Sequence, residues 1–270
     1  MSELTVRRLL VDLETPLARH WNGGDAFRTA FFDALSMSFP VGEQFFIDSV
    51  RAGLQALPAD QRARFEAEVK GFIGQEATHR RIHGLYNDHL ARRGLVNAWE
   101  GRARQRIAAL QGVDLRNHLA VTAATEHFTA IFAEYLLTNP APLSGAEDRM
   151  ATLWRWHSSE ESEHRSTAFD LYRALGGNEE WRLRIFRIVS FNFIVDALRQ
   201  TWLNLWHDGS WWKPSTWYSG FRLLFGRDGL VRQLRGPWRE YLRGDFHPQQ
   251  QDDSSARQWL AANPDAWRPV

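Results

Sequence analysis

The sequence predicts an all-α protein, a four-helix bundle with additional C-terminal helices, and three observations carry that prediction. Ala, Leu, Arg and Glu dominate the regular segments, and no stretch keeps a period-two alternation for long. Helix starts and stops punctuate the chain at intervals of a long helix. With 270 residues, 44% hydrophobic and 24% charged, the chain has ample material for a core and no signature of disorder. The first helical region spans roughly residues 25–57, with Pro40 expected to kink it or to start a new helix. Pro58 and Asp60 open a second helix, which runs to about Arg93 and stops at Gly94. Residues 95–113 read as a crossover with some helix of its own. Asp114 fits the N-cap of a third helix that ends near Asn139-Pro140. Ser144 and Glu147 form an S-x-x-E capping box expected to open a fourth, closed by Gly176-Gly177. Asn178 caps a fifth, reaching about His207. The chain divides into an N-terminal segment (1–24), the bundle (25–177), a tryptophan-rich basic helical extension packed on it (178–244) and a polar tail expected to be loosely held (245–270).

Composition excludes a good deal of chemistry. There is no Cys, hence no disulfide, iron–sulfur cluster, thiolate zinc site or cysteine nucleophile. A metal site here must be built from His, Asp, Glu and backbone oxygen. The net charge of +1 makes no electrostatic case for nucleic acid. That balance hides an asymmetry: residues 181–244 hold 11 Lys or Arg against 4 Asp or Glu, and 7 of the 13 tryptophans. Packing of extra helices is the expected role of this segment, with peripheral membrane contact as the alternative. No signal peptide is read at the N-terminus, and the most apolar stretch, Ile185 to Trp206, is broken by Arg187, Asn192, Asp196 and Arg199. A cytoplasmic location is expected.

E-x-x-H occurs twice, as Glu76-Ala-Thr-His79 and Glu161-Ser-Glu-His164. On a helix, i and i+3 share a face, so each pair presents a carboxylate and an imidazole together. Glu43 and Glu126 each sit in apolar helical surroundings, FPVGEQFF and TAATEHFTA, where an ionised carboxylate needs a partner. The separations Glu43 to Glu76 (33 residues) and Glu126 to Glu161 (35 residues) nearly match, with a longer middle gap of 50 for a crossover. One Glu from each of two helices and E-x-x-H from two others is the dimetal template of a ferritin-like bundle.

The stretches FPVGEQFF, FIGQEATH, TAATEHFTA and WRWHSSEESEH resemble the bacterial proteins grouped as predicted metal-dependent hydrolases, a ferritin-like family, over roughly residues 25–240. That resemblance implies the bundle and its metals. His157 lies four positions before Glu161 and seven before His164, and this H-x-x-x-E-x-x-H is similar to the extra-histidine pattern of di-iron arylamine N-oxygenases. It implies Glu43, Glu76, His79, Glu126, His157, Glu161 and His164 as the ligand set. His83 and His127 are read as lining the cavity or as packing, Glu160 and Glu163 as surface carboxylates or outer partners. Asp48, Asp170 and Asp196 are candidate outer partners of the imidazoles, and Tyr86, Tyr135 and Tyr172 read as packing. Phe45, Phe46, Phe72, Phe128, Phe132 and Trp154 are expected to line the pocket.

Oxygen-rich sites with a few imidazoles suit iron, with manganese as the other candidate. The leading expectation is a non-haem di-iron oxidase or oxygenase, with dioxygen as co-substrate, a small apolar or aromatic substrate and an external electron donor. The alternatives are a metal-dependent hydrolase using a dimetal-activated water and a non-catalytic ferritin-like metal protein. An oligomer is compatible with either.

Overall fold

Asp25 starts the first helix, its carboxylate accepting from the Arg28 backbone N–H. In the computed structural model, which describes residues 4–270, helix α1 runs from Ala26 to Ala56. It passes through Pro40 as one helix, so no second helix begins there. Helix α2 (Ala59–Arg92) follows after Pro58, and Gly94, at φ 83°, takes the left-handed turn that ends it. The crossover carries α3 (Ala98–Ala108), and Asp114 caps α4 (Leu115–Thr138) as expected.

The fourth helix differs from expectation at both ends. No capping box forms: α5 spans Asp148–His164, and the Glu147 carboxylate accepts from the Ala18 N–H and pairs with Arg149. A long-range partner has outcompeted the local one. The chain then breaks before α6 (Thr167–Ala174). Arg165 turns back at the break, donating to the Ser162 carbonyl at 2.9 Å and to the Pro248 carbonyl at 3.0 Å. Asn178 caps α7 (Glu179–Asp208), and α8 (Pro214–Phe225) and α9 (Leu230–Glu240) complete the extension.

The polar tail is held, contrary to expectation. Its α10 (Ser254–Ala262) buries Ala256 and Leu260 and packs on α5 and α4. Its last residues form β2 (Trp267–Pro269), paired antiparallel with β1 (Arg7–Leu9). The few apolar residues of the tail, spaced as one helical face, outweigh its polar composition.

Two apolar clusters fill the interior. One gathers Trp21, Phe32, Tyr86, Trp154 and Trp156, the other Phe46, Phe72, Leu119, Phe128 and Phe186. Trp21 and Tyr86 both donate to the fully buried Asp33, at 2.9 and 2.5 Å. Burial pushes the Asp33 carboxyl up to about 6 against these two donors. Its contribution to stability is therefore complete below the unfolded value of 3.8 and is lost as pH rises through about 6. Two pK units correspond to about 3 kcal/mol. Asp33→Asn is expected to remove that slope, so chemical denaturation at pH 4 and pH 7 should show the wild type losing about 2 kcal/mol more than the variant, part of the loss having already occurred by pH 4.

Candidate metal centre

The four helices α1, α2, α4 and α5 each send carboxylates or imidazoles inward, and seven residues expected from the sequence meet in one buried place. Glu43 is on α1, Glu76 and His79 on α2, Glu126 on α4, and His157, Glu161 and His164 on α5. None is more than 5% exposed. The i, i+3 and i, i+4 spacings on α2 and α5 turn these side chains to one face, and the apolar residues between them hold the helices together.

Glu161 is the hub. Its Oε1 lies 2.7 Å from His157 Nε2, 3.4 Å from His79 Nδ1 and 3.9 Å from His164 Nε2. His164 Nδ1 is 2.8 Å from Glu126 Oε2, and its Nε2 is 3.5 Å from Glu76 Oε1. The donor atoms fall into two groups. Glu76, His79, Glu161 and His164 each bring one ligand atom within 4.8 Å of the others, and so do Glu43, His83 and His157. Glu126 stands outside both groups, attached to the first through His164.

His83 is the addition that sequence reasoning did not place in the ligand set. It is fully buried, one turn beyond His79 on α2, with Nδ1 at 2.9 Å from Ser36 Oγ and Nε2 at 2.7 Å from His157 Nδ1. The i, i+4 spacing from His79 was the available signal. His127, also considered, is buried elsewhere: it bonds the Pro237 carbonyl and packs against Tyr241, and burial lowers it to about 3.

Unpaired atoms indicate what this cluster could hold. Both oxygens of Glu43 and of Glu76, one each of Glu126 and Glu161, His79 Nδ1 and His164 Nε2 are buried without a hydrogen-bond partner in the chain. Buried polar atoms are normally satisfied, and here the exceptions concentrate on the residues that face one another. The tautomers point the same way. Ser36 donates to Asn87 Oδ1, so its oxygen accepts from His83 Nδ1–H, which leaves His83 Nε2 to accept from His157 Nδ1–H. Burial lowers His157 to about 4, so it is neutral near pH 7, and its bare Nε2 faces a carboxylate oxygen of Glu161. A bare nitrogen and a carboxylate oxygen at that distance need a proton or a metal ion between them.

Electrostatics agree. Burial, reinforced by neighbouring carboxylates, raises Glu43 and Glu76 well above the usual range, and burial brings Glu126 to about 7. Burial also pushes His83 well below its usual value. Against burial, Glu160 and Glu161 lift His79 to about 10, while the imidazoles around Glu161 hold that carboxyl low. Ionised together, the four buried carboxylates would carry four negative charges, which two divalent cations would balance. A donor set of carboxylate oxygen and imidazole fits such ions.

Of the outer partners expected, the three aspartates lie elsewhere. Asp48 lies exposed beside Arg51, Asp170 pairs with His247, and Asp196 with Arg102 and Arg106. Glu160 takes the role instead. It is fully buried, and His79 Nε2–H donates to its Oε2 at 2.9 Å, which aims Nδ1 at the centre. Arg7 on β1 reaches Glu160 at 3.2 Å and Glu163 at 2.7 Å, and Gln75 donates to Glu163 at 2.7 Å. Trp267 of β2 covers the Arg7 guanidinium, its ring centroid 5.0 Å away. The two ends of the chain thus clamp the support of His79.

A cavity of about 390 Å³ adjoins the centre, with His157 and Glu161 in its wall. Phe128, Phe132 and Trp154 line it as expected, joined by Phe31 and Phe39. Phe45, Phe46 and Phe72 do not: they belong to the second apolar cluster, with Phe72 edge-on to His164 at 4.9 Å. Tyr86, Tyr135 and Tyr172 bond Asp33, the Asp228 carbonyl and the Asn178 carbonyl, away from the carboxylate cluster.

Residues 5–252 match the family described as predicted metal-dependent hydrolase. The chain belongs to that family. Neither a curated protein nor a solved structure matches it. The predicted metal-dependent hydrolase description accords with the second of the activities expected from the sequence, hydrolysis at a metal centre, and gives no support to the first, oxidation. In this family member the clamp on Glu160 has a testable role. Arg7→Met should free Glu160 and let the His79 ring turn, weakening metal binding by roughly 10–100-fold, measured by competition with a metal-indicator dye.

Proposed function

We propose that this protein is a two-metal enzyme that hydrolyses a small, largely apolar substrate held in the aromatic cavity beside the buried centre. The observation that carries the reading is the concentration of unpaired buried oxygens and nitrogens on Glu43, Glu76, His79, Glu126, Glu161 and His164, next to a cavity that shares Glu161 and His157 with the centre. The family match favours hydrolysis among the reactions such a centre could serve. Glu76, His79, Glu161 and His164 would hold one ion, with Glu126 adjacent to it, and Glu43, His157 and, once its hydrogen bond to His157 opens, His83 Nε2 would hold the other. Two bound divalent ions would supply Lewis acidity and a water of lowered pKa.

The chain's own residues do the rest. The four carboxylates offset the ionic charge, and Glu160 with Arg7 fixes the His79 ring. Phe39 packs on both His83 and His157, at ring-centroid distances of 4.6 and 4.7 Å, and keeps bulk water from them. Phe31, Phe128 and Phe132 hold the apolar part of the substrate, and the dry wall strengthens each electrostatic contact at the centre.

One observation favours oxidation as a second reading. Beside His157 and Glu161, the described residues of the cavity wall bring as polar groups Thr129, Ser158, Arg235 and the indoles of Trp154 and Trp238, the last already donating to Ser190. A wall so poor in proton donors suits an unactivated apolar substrate, with iron as the metal, dioxygen as co-substrate and an external electron donor. Turnover of aryl and acyl esters and phosphoesters by zinc- or manganese-loaded protein under strict anoxia is the expected result. Inactivity there, with stoichiometric dioxygen consumption by the ferrous protein, would replace hydrolysis by oxidation.

A further inference from the structure

The outer surface of α7, α8 and α9 is unexplained by the metal centre. On α7, Ile188, Phe191, Ile194, Leu198, Trp202 and Trp206 are all exposed, and steps of three or four residues place them on one side of the helix. On α8, Tyr218, Phe221 and Phe225 repeat the pattern at 66, 63 and 57% exposure. Amphipathic α9 buries none of its residues fully. An apolar surface of this extent marks an interaction site.

Two further observations say what covers it. First, Ile194, Leu198, Phe225 and Val231 are exposed and also line the cavity, so the cavity opens through this face. Second, the face is bordered by cations that make no ion pair among the described residues. Arg187, Arg199, Arg222, Arg232 and Arg235 are exposed, while the ion pairs of this part of the chain are made by Arg182, Asp196, Asp208 and Arg243. The segment 181–244 carries a net charge of +7, and the remainder of the chain is acidic. A second copy of the chain seated face to face would bring the same unpaired cations together. Among the described residues no helix is long and apolar enough to cross a membrane, so contact of this face with a bilayer would be at its surface.

We propose that the α7–α9 face docks on an anionic lipid bilayer, its aromatic side chains inserted at headgroup depth and its arginines on lipid phosphates. Docked this way, the cavity mouth faces the acyl chains, and an apolar substrate passes from the bilayer to the centre without crossing water. The docking itself is independent of the reaction; the passage of substrate rests on reading the cavity as the substrate site.

The test is flotation of the metal-loaded protein with vesicles of phosphatidylcholine alone and of phosphatidylcholine with phosphatidylserine. Binding to the anionic vesicles is expected, falling steeply with added salt. Combined Phe191→Glu, Tyr218→Glu and Phe221→Glu should reduce it at least about ten-fold with helicity and metal content unchanged. Arg199→Ala with Arg222→Ala and Arg232→Ala should abolish the preference for phosphatidylserine. Absence of vesicle binding, binding indifferent to these substitutions, or a dimer in sedimentation analysis that the Glu variant dissociates would each overturn the proposal. Metal content and turnover of a water-soluble substrate, unchanged in either case, keep that failure separate from failure of the two-metal reading.

Discussion

Glu161→Ala is expected to release metal from both halves of the centre, lowering affinity by at least about 100-fold, beyond the ~10–100-fold cost of losing an outer partner. Glu161 is the one carboxylate whose oxygen lies within 4 Å of His79, His157 and His164 together, and His157 belongs with Glu43 and His83 in the other donor group. Glu43→Ala, in contrast, should empty that second group alone, because Glu43 is no part of the first. Glu163→Ala should keep both ions, since Glu163 faces Arg7 and Gln75. Metal analysis of the three purified variants, with circular dichroism to confirm retained helix, separates these outcomes. Equal metal loss in Glu161→Ala and Glu163→Ala would contradict the assignment.

Chelation should lower the stability of the fold substantially. Without cations, Glu43, Glu76, Glu126 and Glu161 crowd a buried site in which several of them must take up protons or repel one another. A ligand present at a hundred times its dissociation constant stabilises the folded state by about 2.7 kcal/mol. For a chain of this size that amounts to a fall in Tm of roughly 5–10 °C on removal, assuming one site counts. Calorimetry before and after chelation, followed by re-addition of zinc, manganese or ferrous iron, checks both the loss and its recovery. An unchanged Tm would mean that the carboxylates are not held by a cation.

Much of the centre could be read from spacing. Glu76 with His79 and Glu161 with His164 share helical faces by arithmetic alone, and Glu43 and Glu126 stood out as carboxylates among Phe, Val and Ala. The same arithmetic places His157 on the stripe of Glu161, and the structure puts their side chains 2.7 Å apart. What spacing cannot reveal is which of several residues on a helix meets a neighbour. His83 was one turn from His79 but equally suited to packing, and only its approach to His157 from α5 distinguishes the two roles. Glu160 read as either a surface carboxylate or an outer partner, because its neighbour Glu161 had the better spacing. It is buried by Arg7, which lies 153 positions away in sequence on a short strand. The capping box at Ser144 failed for a related reason: a distant segment, the backbone at Ala18, claimed Glu147.

The tail illustrates the same limit from the other side. Its composition suggested loose attachment, yet β2 pairs with β1, and Trp267 lies over the arginine that supports His79. Local composition reports the intrinsic preference of a segment, whereas attachment is decided by what the rest of the fold offers it.

The most direct test of the account is the count and position of divalent ions in the purified protein, by elemental analysis together with anomalous diffraction at the metal edge. The account predicts two ions per chain, one among Glu76, His79, Glu161 and His164 and one among Glu43, His83 and His157. A protein that binds no ion under saturating metal, or binds ions only at surface carboxylates, would contradict it.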